Sequence, residues 1–240
     1  MSTQPKYKRI LLKLTGEMFC KKSERGIDLH EVEKVAIYIK KLKTKYPALQ
    51  IAIVVGAGNL FRGREVKGSK TDRAMADYIG MLGTVMNALA LQTELENHTV
   101  NTRVLSALTI QQVCEPFIRR RAIRHLEKGR VVILGGGTGN PFFTTDSAAA
   151  LKACELNCDI LLKGSTVEGV FSADPKKDKN AKLYKKLSYQ EALEKGLTVM
   201  DNTAFALCQR EKVPIIVFSL EDLDNIENNI LGKQVGTLVE

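Results

Sequence analysis

No stretch of the chain offers the roughly 20 consecutive apolar residues of a bilayer-spanning helix. The opening MSTQPKYKRILLK has neither the apolar core nor the small-residue cleavage site of a secretory signal. Cysteine is sparse: Cys20, Cys114, Cys154, Cys158 and Cys208 make five, with no CxxC pair. An odd, scattered set speaks against a disulfide framework and fits reduced thiols in a cytoplasm. Cys154 and Cys158 stand one helical turn apart, but no histidine or second cysteine pair accompanies them, so they read as core thiols rather than metal ligands. Internal repeats and low-complexity linkers are also missing. So are three nucleotide signatures: GxxxxGK[ST], the protein-kinase set, and GxGxxG, since the run Gly135–Gly139 lacks the required third glycine.

What is present is positive charge. Thirty-six Lys and Arg against 27 Asp and Glu leave a formal +9, which favours anionic partners. The densest cluster, Arg119, Arg120, Arg121 and Arg124, has no interleaved aromatics and no nucleic-acid-binding signature, so it reads as a solvated helix face and weighs against nucleic acid. The 44% hydrophobic and 26% charged content is that of a globular protein with a substantial core.

The periodicity alternates strand and helix. Strands are expected at Arg9–Leu14, Ile51–Val55, Arg103–Ala107, Val131–Leu134, Ile160–Lys163, Val167–Ala173, Ile215–Phe218 and Gly236–Val239. Helices are expected at Asp28–Lys45, Thr71–Glu96, Pro116–Lys128, Thr145–Leu156, Ser188–Glu194, Val199–Glu211 and Leu223–Leu231. In the first helix Leu29, Val32, Val35, Ala36, Ile39 and Leu42 share a face, and Asp28 with Glu31 forms a capping box. The second carries Gly80 and Gly83 on one face, which allows close backbone approach. It also carries Met75, Ile79, Leu82, Val85 and Met86, more apolar surface than a single-sided helix needs, which suggests a dimer contact. The pattern implies an α/β protein with a doubly wound, mostly parallel sheet.

In such sheets ligands sit beyond the carboxyl ends of the strands. Here those ends are chemically rich. The richest, VVILGGGTGNPFFTTD, joins a buried strand to three glycines, a hydroxyl-bearing loop and a helix start. Glycines let the backbone approach a ligand, successive amides can cradle an anion, and the helix N-terminus adds free N–H donors. Lys13 and Lys163 each end an ILLK run, where a lysine is costly unless it meets negative charge. Either alone could be an ordinary exposed strand end; both facing glycine loops point to a phosphate site. Asp146 opens a helix, where the macrodipole favours a carboxylate and where it can also orient a lysine.

At these residues the chain resembles the bacterial UMP kinases of the amino-acid kinase superfamily. The resemblance covers essentially the full length, through KRILLKLTGE, GAGNLFRG, GMLGTVMN, VVILGGGTGNPFFTTDSAA, LLKGSTVEGVFSADP and TVMDNTAFALC. It implies a three-layer α/β/α sandwich in a single domain over 1–240, with approximate halves 1–158 for UMP and oligomerisation and 159–240 for ATP. The implied reaction is ATP plus UMP giving ADP plus UDP, in a homohexamer. Lys13, Leu14, Thr15 and Gly16 match the ATP-phosphate segment, with threonine where serine is commoner. Gly58 and Arg62 match further phosphate contacts. Ser165, Phe171 and Asp174 match the adenosine segment. Ala57, standing where glycine is usual, and Asp77 match UMP-contacting positions, as does the loop Thr138, Gly139, Asn140, Pro141, Phe142, Phe143, Thr144 and Thr145. Lys13, Lys163 and Asp146 fall at the catalytic positions. Mg²⁺ is expected to arrive with ATP rather than in a protein cage.

The resemblance also implies UTP inhibition and, in many relatives, GTP activation. Lys21–Gly26 corresponds to a loop linked with that activation, and Arg103 and Arg130 match basic effector positions. Gln92 and Glu96 stand where those relatives carry basic or imidazole side chains, so weak or no GTP activation is expected. Two other readings stay open: a related kinase acting on a carboxylate or carbamate, against which FFTTD speaks, and a non-enzymatic UMP-binding or nucleic-acid-binding protein.

Overall fold

The computed structural model describes residues 4–63, 72–173, 178, 180–197 and 199–240. Among them, strands β1 (Arg9–Leu14), β2 (Gln50–Val55), β3 (Thr102–Ser106), β4 (Glu115–Pro116), β5 (Val131–Gly135), β6 (Ile160–Ser165), β7 (Lys186–Leu187), β8 (Ile215–Ser219) and β9 (Thr237–Val239) form one sheet. Its order is β4-β3-β5-β2-β1-β6-β8-β9-β7. Every pairing is parallel except β8 with β9. The helices are α1 (Leu29–Lys45), α2 (Arg73–Asn97), α3 (Arg119–Glu127), α4 (Thr145–Glu155), α5 (Tyr189–Glu194), α6 (Asn202–Glu211) and α7 (Asp224–Ile230).

The expected three-layer sandwich is present. A parallel strand covered on both faces is apolar throughout rather than alternating, and β2 is buried at every residue. Alternate strand residues feed two cores. Ile10, Leu12, Ile51 and Ile53 pack with α1, α2 and α7; Leu11, Ala52, Val54 and Leu161 pack with α3, α4, α5 and α6.

Several expectations shift. Only a single bridge, Phe171 with Leu183, lies in the expected strand Val167–Ala173, because its backbone pairs with residues 182–184, the Tyr184 amide donating to the Val170 carbonyl at 2.9 Å, rather than with a strand of the sheet. The two-residue strands β4 and β7 are too short for a periodic pattern to mark. Leu29 is 58% exposed while Tyr38 is buried in its stead. Leu29 is the first residue of α1, and the buried stripe starts one turn later. Asp28 caps α1 by accepting from the His30 amide at 2.9 Å. The complete capping box sits at α5 instead, between Ser188 and Glu191.

Helix α2 is long and apolar enough by composition to cross a membrane, although no unbroken apolar run marks it. Its buried face carries Asn87, Leu91 and Leu95 against the α1 and sheet core, as the central helix of a globular layer does. Gly80 and Gly83 do not face outward to a partner. A Cβ on Gly83 would meet the Ala57 methyl at 3.0 Å and one on Gly80 the Phe61 ring at 4.0 Å, so both accommodate the loop after β2. Val85 is buried. Met75, Tyr78, Ile79, Leu82 and Met86 do form an exposed apolar stripe.

Candidate active site

Parallel order brings the carboxyl ends of β1, β2, β5 and β6 to one edge. Lys13 and Lys163 are register partners on β1 and β6. They follow Leu11 and Leu161 by two residues, so they point to the same face, the one covered by α4. The first turn of α4 supplies Asp146 there. Its Oδ1 lies 3.2 Å from Lys13 Nζ, and its Oδ2 accepts a hydrogen bond from Lys163 Nζ. Both lysines are buried. Burial pushes the Asp146 carboxyl up, but the charges of Lys13 and Lys163 win and hold it below the ordinary carboxylate range. Burial pushes the Lys163 ammonium down, helped by Lys13 and opposed by Asp146. The trio carries one net positive charge, suited to a polyphosphate rather than to a lone cation.

A second carboxylate holds the first in place. The Thr144 hydroxyl caps α4, accepting from the amides of Asp146 at 3.1 Å and Ser147 at 3.2 Å, and donates to Asp201 Oδ2. The Ser147 hydroxyl donates to Asp201 Oδ1 at 2.9 Å, and that same oxygen caps α6 by accepting from the Ala204 amide at 2.8 Å. Asp201 thus joins the starts of two helices. It stands in the TVMDN string, inside the expected helix Val199–Glu211; the helix begins only after it, at Asn202, and nothing in sequence shows that it also grips α4.

The glycine loops close round this trio. A Cβ on Gly16 would stand 2.6 Å from the Gly58 amide nitrogen, so the loops after β1 and β2 touch backbone to backbone. A buried amide pair fixes the second loop to α2: Asn87 donates to the Gly56 carbonyl at 2.7 Å and to Asn59 Oδ1 at 2.8 Å, and Asn59 donates to the Gly26 carbonyl at 2.7 Å. Asn59 follows the glycines at the end of the second strand, but nothing in sequence marks Asn87 as its partner. Arg62 Nε donates to the Gly58 carbonyl at 3.0 Å and its guanidinium pairs with Glu17 at 3.1 Å. Gly136, Gly137 and Gly139 have φ of 77°, 58° and 81°, left-handed values that glycine adopts without strain.

Two adjoining chambers result. One, of about 420 Å³, is lined by Lys13, Thr15, Gly16, Gly58, Arg62 and Thr145 among others. The other, of about 210 Å³, shares Ala57, Gly58, Phe61 and Thr145 and adds the apolar Met81 and Phe143. The Ala57 methyl fits because Gly83 faces it. Asp77 Oδ2 accepts from the Phe142 amide at 2.8 Å and pairs with Arg73 at 3.1 Å, so this carboxylate fastens the TGNPFF loop. Thr138 and Asn140 hydrogen-bond each other within that loop, Pro141 follows, and Phe142 is exposed.

Not every expected residue presents its side chain. Leu14 is fully buried in the core, and its carbonyl accepts from the Gly56 amide at 2.9 Å. Ser165 ends β6, its hydroxyl accepting from the Val167 amide at 3.4 Å. Phe171 lines a separate cavity of about 300 Å³ with Val170, Ser172, Lys195 and Leu197. Asp174 lies outside the described residues. Arg103 and Arg130 are elsewhere. Arg103 borders a cavity of about 410 Å³ together with Gln92 and Glu115.

Residues 8–219 match the amino acid kinase family. The chain belongs to that family. Within the family it is 50% identical over 239 residues to a uridylate kinase of Oenococcus oeni, covering 99% of this chain and 98% of that one. The crystal structure of the UMP kinase from Bacillus anthracis superimposes with a TM-score of 0.92 at 37% identity, covering 98% of this chain and 96% of that chain. The crystal structure of the UMP kinase from Ureaplasma parvum gives 0.87 at 36% identity, with both chains fully covered. The family's kinase fold and the cationic trio agree: this is a phosphoryl-transfer enzyme.

Proposed function

We propose that this chain is a UMP kinase that transfers the γ-phosphoryl group of ATP to a phosphate oxygen of UMP. The observation that carries the reading is Lys13, which lines the more polar of two joined chambers and is tied there to Asp146 and, through it, to Lys163. UMP enters the chamber of Ala57, Phe61, Met81 and Phe143, gripped by the Thr138–Thr145 loop that Asp77 fastens. The ATP phosphates lie along Thr15, Gly16, Gly58 and Arg62, and the adenosine reaches Phe171 and the 159–240 half.

Phosphoryl transfer needs alignment and charge stabilisation more than covalent help. A UMP phosphate oxygen attacks the γ-phosphorus; the bond from that phosphorus to the bridging oxygen breaks, and the electron pair leaves on ADP. Lys13 and Lys163 stabilise the charge that spreads over the transferring group. Asp146 sets the two ammonium groups side by side. The UMP phosphate is already anionic near neutral pH, so no strong base is needed. Asp146 Oδ1 is buried and accepts no hydrogen bond despite its ion pair with Lys13. Asp146 is the carboxylate of the trio that would face a Mg²⁺ ion brought in with ATP. Such an ion supplies charge neutralisation across the β- and γ-phosphates.

The exposed stripe Met75–Met86 on α2 supports self-association, and the family resemblance supplies the homohexamer. We further propose a cytoplasmic enzyme of pyrimidine nucleotide synthesis, consistent with free cysteines, inhibited by UTP and weakly or not at all activated by GTP. A coupled ADP-release assay with UMP, CMP and carboxylate acceptors tests the central reading. Strong preference for UMP is expected; equal turnover of CMP, or preference for a carboxylate, overturns it.

A further inference from the structure

Away from the nucleotide cleft, two imidazoles and two carboxylates meet where α1 packs against α2. Residues three or four apart on a helix share a face. His30 and Glu33 are so spaced on α1, and Glu94 and His98 at the end of α2. The His98 amide donates to the Glu94 carbonyl at 3.1 Å, so the helical register holds through that last turn.

The donors converge across the helix pair. His98 Nε2 lies 3.3 Å from Glu33 Oε1, and His30 Nδ1 lies 3.9 Å from Glu33 Oε2. One donor atom each from Glu33, Glu94 and His98 all lie within 4.8 Å of one another. Glu33, Glu94 and His98 are each half-buried, whereas the His30 side chain is 87% exposed and can turn inward. In a chain of formal charge +9, carboxylates ordinarily find lysine or arginine. Among the described residues Glu33 pairs with His30 and His98, and Glu94 has no lysine or arginine partner. Mixed imidazole and carboxylate donors are the set that zinc-class ions take. Metal–ligand bonds of about 2.0–2.1 Å place tetrahedral donors about 3.3 Å apart, the separation already present between His98 and Glu33.

We propose that Glu33, Glu94 and His98, with His30 as fourth donor, form a binding site for a divalent transition-metal ion of the zinc class. The ion would clamp the end of α2 to the start of α1. This clamp is separate from phosphoryl transfer, since none of the four residues lines the nucleotide chambers.

The test uses the metal-free full-length chain, titrated with Zn²⁺ by calorimetry and with Co²⁺ by visible absorption. One ion per chain, a tetrahedral Co²⁺ spectrum and a Zn²⁺-dependent rise in Tm are expected. His98→Ala and Glu94→Gln should each weaken binding by about tenfold or more, His30→Ala less, with circular dichroism confirming the fold. Glu33→Gln provides an independent reading should either variant fold poorly. Cys154→Ser should leave binding unchanged. Absence of saturable binding, or equal binding in His98→Ala, Glu94→Gln and the unaltered chain, overturns the proposal and leaves His98 and Glu33 as a simple ion pair.

Discussion

Lys13 and Lys163 are register partners on adjacent parallel strands, and both ammonium groups converge on the single carboxylate of Asp146. Two like charges side by side in a buried place are tolerable only because a carboxylate bridges them and a polyphosphate completes the neutralisation.

Removing a member of the trio should therefore damage catalysis before anything else. Lys13→Ala and Asp146→Ala are each expected to lower turnover at least about a hundredfold, the scale of losing one preorganised electrostatic contact. Asp146→Ala should also cost about 3–5 kcal/mol in urea unfolding, because it leaves two buried ammonium groups without their counter-ion. Near-normal turnover in a folded variant removes that residue from the catalytic set.

The pH response follows from the signs. The folded Asp146 carboxyl sits below its unfolded value of about 3.9, so its stabilisation is complete above that value and is lost as pH falls through the folded one. The folded Lys163 ammonium sits below the ordinary lysine value of about 10.4, so its proton leaves earlier than a free lysine's as pH rises. The alkaline limb of the rate profile should fall below that value. An alkaline limb at the ordinary lysine value would show that Lys163 is not the titrating group.

Asp201 should behave as a positioning residue. Asp201→Ala removes the α6 cap, worth about 1 kcal/mol, and frees Thr144 and Ser147 at the start of α4. A lower Tm together with a lower kcat is expected, since Asp146 sits two residues beyond Thr144. Asp201→Asn, whose single amide oxygen can still accept from Ser147 and the Ala204 amide but not also from Thr144, should restore part of both. Loss of stability with kcat unchanged would confine Asp201 to capping.

Arg103, in the candidate effector region, is already ion-paired within the chain. Arg103 lies between Glu96 at 3.6 Å and Glu115 at 3.8 Å, and Arg130 bonds His125 at 2.8 Å. A GTP titration at fixed ATP and UMP should leave the rate nearly unchanged, while UTP, which shares the uracil of UMP, inhibits. Several-fold activation at sub-millimolar GTP contradicts the prediction.

The apolar stripe on α2 should be covered in solution. Light scattering coupled to size exclusion is expected to show an assembly several times the 26.6 kDa chain. Leu82→Glu, at a position 47% exposed in the single chain, should dissociate it. A stable monomer of the unaltered chain at micromolar concentration counts against self-association.

The layers, and the edge at which chemistry gathers, are legible in the chain's own pattern. Unbroken apolar runs such as Ile51–Val55 can only be parallel strands covered on both faces, and glycines after such runs mark the carboxyl edge. The two ILLK runs and a helix start picked out Lys13, Lys163 and Asp146, and the family strings named the loops. Which of these residues meet is a matter of long-range packing. Register set Lys13 beside Lys163, because strand pairing depends on partners far apart in sequence. Packing showed that the close approach Gly83 allows is to the Ala57 methyl. It showed Asp77 as the fastener of the Phe142 loop, Asn59 with Asn87 as a buried clamp, and Asp201 as the joint between α4 and α6. Each is a polar contact made by one side chain on a distant element. Local periodicity carries no trace of such contacts, since it records which face a residue occupies and not what that face will meet.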